Sequence, residues 1–236
     1  PLYRLMESKK ILIIDDDINL LQSMKLTFAR AGADVQTAVD GRQGLQRFEE
    51  QRPDLVILDV RMPGMDGWET CRQIRRLSAA PIIMLTTLNR DDEIVRGLDC
   101  GADDFVTKPF NRAVLLARVR ALLRRTETLV ESDSIITYSD GHLAIDVPKR
   151  RVWVRGEVVQ LTATEFRLLA FLLQRAGQVL TYDTILDHVW GLEYRESVDY
   201  VHVYLSHLRR KIEIDPRNPK YLLTERGVGY RFEKSA

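Results

Sequence analysis

The sequence predicts an α/β half with a doubly wound parallel sheet, followed by an α+β half. Three observations carry that expectation. The first half alternates short apolar runs with amphipathic stretches, a polar aperiodic segment follows, and the remainder changes to hairpin-like alternation around a block of helices. A chain of 236 residues suits two domains of about 100 to 120 residues each.

In the first half, Ile11–Ile14, Val35–Thr37, Leu55–Leu58, Ile82–Leu85 and Phe105–Val106 read as strands. Between them Leu20–Ala31, Gly41–Gln51, Gly67–Arg76, Glu93–Gly97 and Arg112–Arg125 read as helices. Five βα units predict a parallel sheet covered by helices on both faces. Asp15, Asp16, Asp17 and Asp59 follow directly on strands, where open α/β sheets collect their ligands. Thr126–Tyr138 is polar and reads as a linker, giving domains over 8–126 and 139–236 with 127–138 between them. Beyond it, Leu143–Leu161 alternates apolar and polar residues around Lys149 and Gly156, as antiparallel hairpins do. Thr162 and Glu165 form a capping-box pattern ahead of the stripe Phe166, Leu169 and Leu173. A second helix follows Thr181 and a third runs from about Ser197 to Ile212. Tyr221–Phe232 then places two short strands about a Gly227/Gly229 turn, which is a wing.

Composition limits the function. The formal net charge is +1, so no global basic field attracts nucleic acid and any DNA contact must be local. Cys71 and Cys100 are the only cysteines, which excludes a disulfide framework and suits a reducing cytoplasm. No apolar run approaches the roughly 18 residues of a membrane span, and no signal peptide is expected. Met6 reads as the native start, with Pro1–Leu5 an added or upstream segment.

Carboxylates gathered at one sheet edge repel one another unless a cation joins them. Mg²⁺ takes oxygen ligands, commonly one or two carboxylates completed by water and phosphate. A carboxylate can also act as a nucleophile toward phosphorus, and the transferred group then needs positive charge and donors around it. The segments ILIIDDD, LDVRMPGMDG, IIMLTT and GADDFVTKPF, in this order, resemble the receiver domain of two-component response regulators over about residues 8–126. The resemblance implies a flavodoxin-like strand order 2-1-3-4-5 and phosphoryl transfer from a histidine kinase to Asp59. It implies that Asp15, Asp16, Asp59 and the Arg61 carbonyl hold Mg²⁺. Thr86 becomes the switch hydroxyl, Phe105 the switch aromatic and Lys108 the phosphate-pairing cation, with a cis Lys108–Pro109 peptide. Thr87 stands where relatives usually carry a smaller residue. On the face implied for a phosphorylation-induced homodimer, Asp103 with Arg125 and Asp104 with Arg118 match family ion-pair spacings. Ile94 and Val114 replace the third, charged pair.

Residues 140–234 resemble the winged-helix effector domain of the OmpR/PhoB family, carried by LTATEFRLLAFLL, SHLRRKIEIDP and TERGVGYRF. The region from Asp199 to Phe232 is similar to the KdpE-type branch, a likeness that establishes no potassium-linked role. Periodicity places Val201, Leu205, Leu208 and Ile212 on the core side of the third helix. Asp199, Val203, Ser206, His207 and Arg210 are then expected on the opposite face, flanked by Arg209 and Lys211. A recognition helix needs phosphate donors and a few side chains that reach base edges. The basic trio supplies the first, Ser206 and His207 the second, Val203 a thymine methyl contact, and Arg226 at the wing tip a minor-groove or phosphate contact. Trp190–Glu196 matches the loop that relatives present to RNA polymerase, although Trp190 itself reads better as a core anchor. The expectation is therefore a cytoplasmic, non-enzymatic, phosphorylation-controlled regulator of promoter DNA. The alternatives are an orphan regulator that binds DNA constitutively and an aspartyl-phosphate hydrolase, for which the second half offers no catalytic constellation.

Overall fold

The computed structural model describes residues 6–87, 100–127, 137–195 and 197–235, with side chains for all of these except 125–127 and 193. The chain divides into two compact units at Glu127/Thr128. The expected helix at Glu93–Gly97 lies outside the described residues, as does Ile94.

The first unit runs β1 (Lys10–Ile14), α1 (Ile18–Arg30), β2 (Asp34–Ala38), α2 (Gly41–Gln51), β3 (Leu55–Asp59), α3 (Gly67–Leu77), β4 (Ile82–Thr86), β5 (Asp104–Thr107) and α4 (Arg112–Glu127). The five strands form one sheet in the order β2-β1-β3-β4-β5, with every pairing parallel. β3 and β4 are buried at every residue, as strands covered on both faces must be. One side of the sheet packs Ile11, Ile13, Ile57, Ile83 and Leu85 against Met24 and Phe28 of α1 and Leu115, Val119 and Leu122 of α4. Acids start the helices: Asp17 accepts from Asn19 N and Leu20 N, Asp40 from Gln43 N and Asp66 from Glu69 N. Asp17 is thereby separated from its neighbours in the acidic triplet, which face elsewhere.

The second unit opens with a four-stranded antiparallel sheet, β6 (Thr137–Ser139), β7 (Leu143–Asp146), β8 (Arg151–Val154) and β9 (Glu157–Val159). Thr137 and Tyr138, expected in the linker, belong to it. Tyr138 is buried with its ring edge-on to Tyr221 and Phe232, so the polar composition around it concealed a core aromatic. Helices α5 (Ala163–Gln174), α6 (Tyr182–Val189) and α7 (Val198–Ile212) pack against one another. The wing pairs β11 (Leu222–Glu225) with β12 (Gly229–Phe232), and β12 also pairs with β10 (Leu180–Thr181). A Cβ at Gly229 would stand 1.8 Å from the Leu180 carbonyl oxygen, so only glycine admits this three-strand junction. The capping box expected at Thr162 is present in both directions.

Candidate functional site

The acidic pocket is built at the ends of adjacent strands. Asp15 follows β1 and is fully buried, while Asp59 closes β3 and is nearly so. Asp16 is exposed beside them, and ligand oxygens from the three lie within 4.8 Å of one another. Lys108, just past β5, reaches across the edge. Its Nζ stands 2.7 Å from Asp15 Oδ2 and 2.6 Å from Asp59 Oδ1. The remaining oxygens accept backbone donors, Asp17 N to Asp15 Oδ1 at 2.9 Å and Arg61 N to Asp59 Oδ2 at 3.1 Å. Gly67 lets α3 start against this edge, since a Cβ there would meet the Asp59 carbonyl oxygen at 2.1 Å.

Burial raises the Asp59 carboxyl above its ordinary value, and the hydrogen bond and charge of Lys108 pull against it. Burial acts on Lys108 in the opposite sense, but its bonds to Asp15 and Asp59 outweigh it and hold the ammonium charged. Three carboxylates around one ammonium leave an excess of negative charge and a set of hard oxygen donors. That donor set fits a small divalent cation.

Thr86 ends β4 and is buried, and its strand runs beside β3 with Asp59 opposite Leu85. Phe105 is buried on β5 with its ring 6.3 Å from that of Trp68. The Lys108–Pro109 peptide is cis.

On the face proposed from sequence for dimerisation, the placements differ. Val114 is exposed, as a contact residue requires. Asp104 is buried and accepts from Arg118 Nη1 at 2.8 Å within the same domain. Asp103 is fully buried and receives Arg75 Nη2 at 2.6 Å and Ile82 N at 2.9 Å. Arg75 also donates to Gly101 O at 2.6 Å and to Ala80 O, so Asp103 serves an internal clamp. The spacing to Arg125 could not reveal a partner on α3, and the Arg125 side chain lies outside the described residues.

The second candidate surface is α7. Val201, Leu205, Leu208 and Ile212 are completely buried, as expected. Ser206 and Arg210 are exposed with Asp199, but Val203 and His207 are buried, correcting their assignment to the outer face. The reason is the width of the buried arc. Tyr200 and Tyr204, four residues apart, set their rings edge-on to buried Trp190 and extend the core stripe round to His207. His207 Nδ1 lies 4.0 Å from Glu165 Oε1, behind the capping box of α5.

Two of the three basic residues are also committed internally. Lys211 Nζ binds Glu165 Oε2 at 2.7 Å and Gln160 O at 3.2 Å. Arg209 donates to Leu222 O at 3.0 Å and Thr224 Oγ1 at 2.7 Å, with its guanidinium 5.5 Å from the Tyr230 ring centre. The exposed stripe is thus Asp199, His202, Ser206 and Arg210, with Arg226 exposed at the wing turn. Periodicity alone, which places the outer face directly opposite Val201, leaves His202 out. The tyrosine pair was the signal that shifts the face toward it.

Comparison with known proteins agrees with both halves. Residues 11–120 match the family model "Response regulator receiver domain", and 156–232 match "Transcriptional regulatory protein, C terminal". The chain belongs to the response-regulator family, a receiver domain joined to a DNA-binding transcriptional regulatory domain. It is 43% identical over 223 residues to the DNA-binding response regulator MtrA of Mycolicibacterium smegmatis, covering 94% of this chain and 96% of that one. It is 41% identical over 233 residues to the probable transcriptional regulator ycf27 of Cyanophora paradoxa, covering 97% and 98%. Among solved structures, a point mutant of RitR aligns at TM-score 0.80 and 26% identity over 97% of this chain and all 100% of that one. DrrB of Thermotoga maritima, an OmpR/PhoB homologue, aligns at 0.51 and 34% identity over 96% and 99%. Among the described residues, no helix is long and apolar enough to cross a membrane.

Proposed function

We propose that Asp59 is the phosphoacceptor of a two-component system, taking a phosphoryl group from a histidine kinase. The observation that carries this is the convergence of Asp15, Asp16 and Asp59 about Lys108 at the carboxyl ends of β1, β3 and β5. An Asp59 oxygen attacks phosphorus, the new P–O bond forms as the P–N bond to the donor histidine breaks, and the imidazole leaves as the neutral ring once protonated. Lys108 already bridges two of the carboxylates, so it needs little movement to pair with the phosphoryl oxygens. Asp15, Asp16, Asp59 and the Arg61 carbonyl are the groups that would hold Mg²⁺, whose charge offsets that of the arriving phosphate. Thr86 would donate its hydroxyl to the phosphoryl group and Phe105 would follow it as the switch. Incubation with acetyl phosphate should label the chain with acid-labile phosphate in a Mg²⁺-dependent manner. Asp59→Asn should take up none, and full labelling of that variant would remove the assignment.

Phosphorylation is proposed to drive a homodimer through the face carrying Val114 and Ile94, the output being promoter binding by α7 and the wing. Arg210 and Arg226 carry the phosphate contacts, and Ser206 reaches a base. Leu192, 65% exposed in the loop after Trp190, is the apolar group offered to RNA polymerase. The DYVHVYLSHLRRKIEIDP stretch supports placing the second half near the KdpE-type branch. Val114→Glu should abolish phosphorylation-dependent dimerisation in sedimentation while leaving labelling intact.

A further inference from the structure

His202 stands in the middle of the exposed stripe of α7 and is held from behind. Its Nδ1 lies 2.8 Å from the Tyr230 hydroxyl on β12, and the Tyr182 ring meets its ring edge-on at 5.3 Å. Among the described residues Nε2 has no partner. Tyr230 is buried in the wing junction, where Gly229 beside it tolerates no side chain, so the phenol is fixed in place. A phenol is a stronger acid and weaker base than neutral imidazole, so the shared proton stays on oxygen and Nδ1 accepts. Burial raises the Tyr230 phenol above its ordinary value and the Arg209 guanidinium over its ring pulls the other way, and Arg209 is itself fixed by Leu222 O and Thr224 Oγ1. With Nδ1 accepting, the neutral ring must carry its hydrogen on Nε2.

We propose that His202 is the specificity-determining residue of the recognition helix, presenting a fixed Nε2–H donor to a guanine in the major groove, with Tyr230 as its positioning residue. This rests on the reading of α7 as the DNA-contacting helix. A donor that cannot turn into an acceptor selects base edges that offer acceptors, and guanine offers two adjacent ones, N7 and O6. Ser206 and Arg210 do not share this constraint: the Ser206 hydroxyl, which accepts from Arg210 Nη2 at 3.4 Å, can still turn its proton, and a guanidinium on a long stem serves a phosphate equally well.

The test uses the full chain, phosphorylated with acetyl phosphate, to select sites from a randomised duplex DNA pool. The wild type should enrich one guanine column per half-site, and His202→Ala should lose that column alone. Replacing this guanine by 7-deazaguanine should weaken wild-type binding roughly fivefold, the worth of one hydrogen bond, and leave His202→Ala unchanged. Tyr230→Phe keeps the ring and removes only the hydroxyl. It should retain affinity for random DNA but lose part of the guanine preference, and ring ¹⁵N shifts of His202 should move from the Nε2–H form toward a mixture. The same guanine column in wild type and His202→Ala overturns the assignment, as does an Nδ1–H tautomer in the wild-type protein. If the wild type selects no sequence at all, the DNA-binding reading beneath it falls as well.

Discussion

The acidic pocket of the receiver and the capping box of the effector domain contain the same contact, a lysine ammonium 2.6–2.7 Å from a carboxylate that is almost entirely buried. Their surroundings set them apart. Lys211 meets one acid, Glu165, which also accepts from Thr162 N at 2.7 Å and has His207 behind it. Charge there is balanced and the geometry is closed. Lys108 meets Asp15 and Asp59 with Asp16 alongside, leaving negative charge over. The difference teaches that an ion pair by itself says little about role, and that the unbalanced cluster is the one built to receive something.

That contrast can be broken by variants on either side. The largest effect is expected at the closed pair. Glu165→Ala removes the cap acceptor and strands Lys211, and should cost the second domain about 2 kcal/mol in denaturant unfolding. Its DNA affinity per folded molecule should stay the same, and a loss of specific binding without a loss of stability would contradict the structural role. At the open cluster, Lys108→Met deletes the cation that competes with a metal. Mg²⁺ should then bind roughly tenfold more tightly, because a like charge beside the site has gone. Trp68, which lines the cleft next to Asp16, gives the fluorescence signal for the titration. Weaker binding in that variant would mean that Lys108 helps to assemble the metal site.

Smaller effects sharpen the division among the basic residues of α7. Arg210→Ala should lower DNA affinity similarly for all sequences and reduce the salt-dependence slope by roughly 0.9, the value for one phosphate contact. Lys211→Met should leave that slope unaltered, since Lys211 is bonded to Glu165 and Gln160. Equal slopes for the two variants would erase the distinction.

The smallest effect concerns pH. Asp140 is held at about 2, because hydrogen bonds from Tyr138, Leu143, His142 and Tyr221 outweigh the burial that would raise it. A depressed carboxylate stabilises the fold above its ordinary value of 3.8, and that contribution is lost as pH falls toward 2. Thermal unfolding of the wild type should therefore weaken more steeply between pH 4 and pH 2 than that of Asp140→Asn. Parallel curves would show that the bonds do not favour the charged form.

The receiver was readable because its signals are local. Asp15 and Asp59 follow apolar strands directly, and parallel strands that pair side by side bring their ends together without further information. Lys108 needed the family pattern, since nothing in its own neighbourhood says that it turns toward Asp15. Helix α7 was less readable because part of its burial comes from residues outside the helix. Its first core stripe was plain in Val201, Leu205 and Leu208, yet the second side depends on Trp190 at the end of α6, which lies off the periodicity of α7 itself. His207 and Lys211 looked available because Glu165, their partner, lies more than forty residues away. The bond from Arg75 to Asp103 was hidden for the same reason, that arginine arriving from α3.

The Asp104–Arg118 contact has a further consequence for how two copies of the proposed dimer would choose each other. Both groups already find their opposite charge inside one protomer. Exchanging those partners across an interface keeps the number of ion pairs constant, so the exchange is nearly neutral and rewards no particular partner. Discrimination between this chain and a paralogue must then come from groups that have no counterpart before association. Val114, 48% exposed on α4, is such a group, and a paralogue with a charge at that position would have to bury it against an apolar side chain. Fidelity of pairing in this protein would thus reside in the shape and wetting of a small apolar patch rather than in charge.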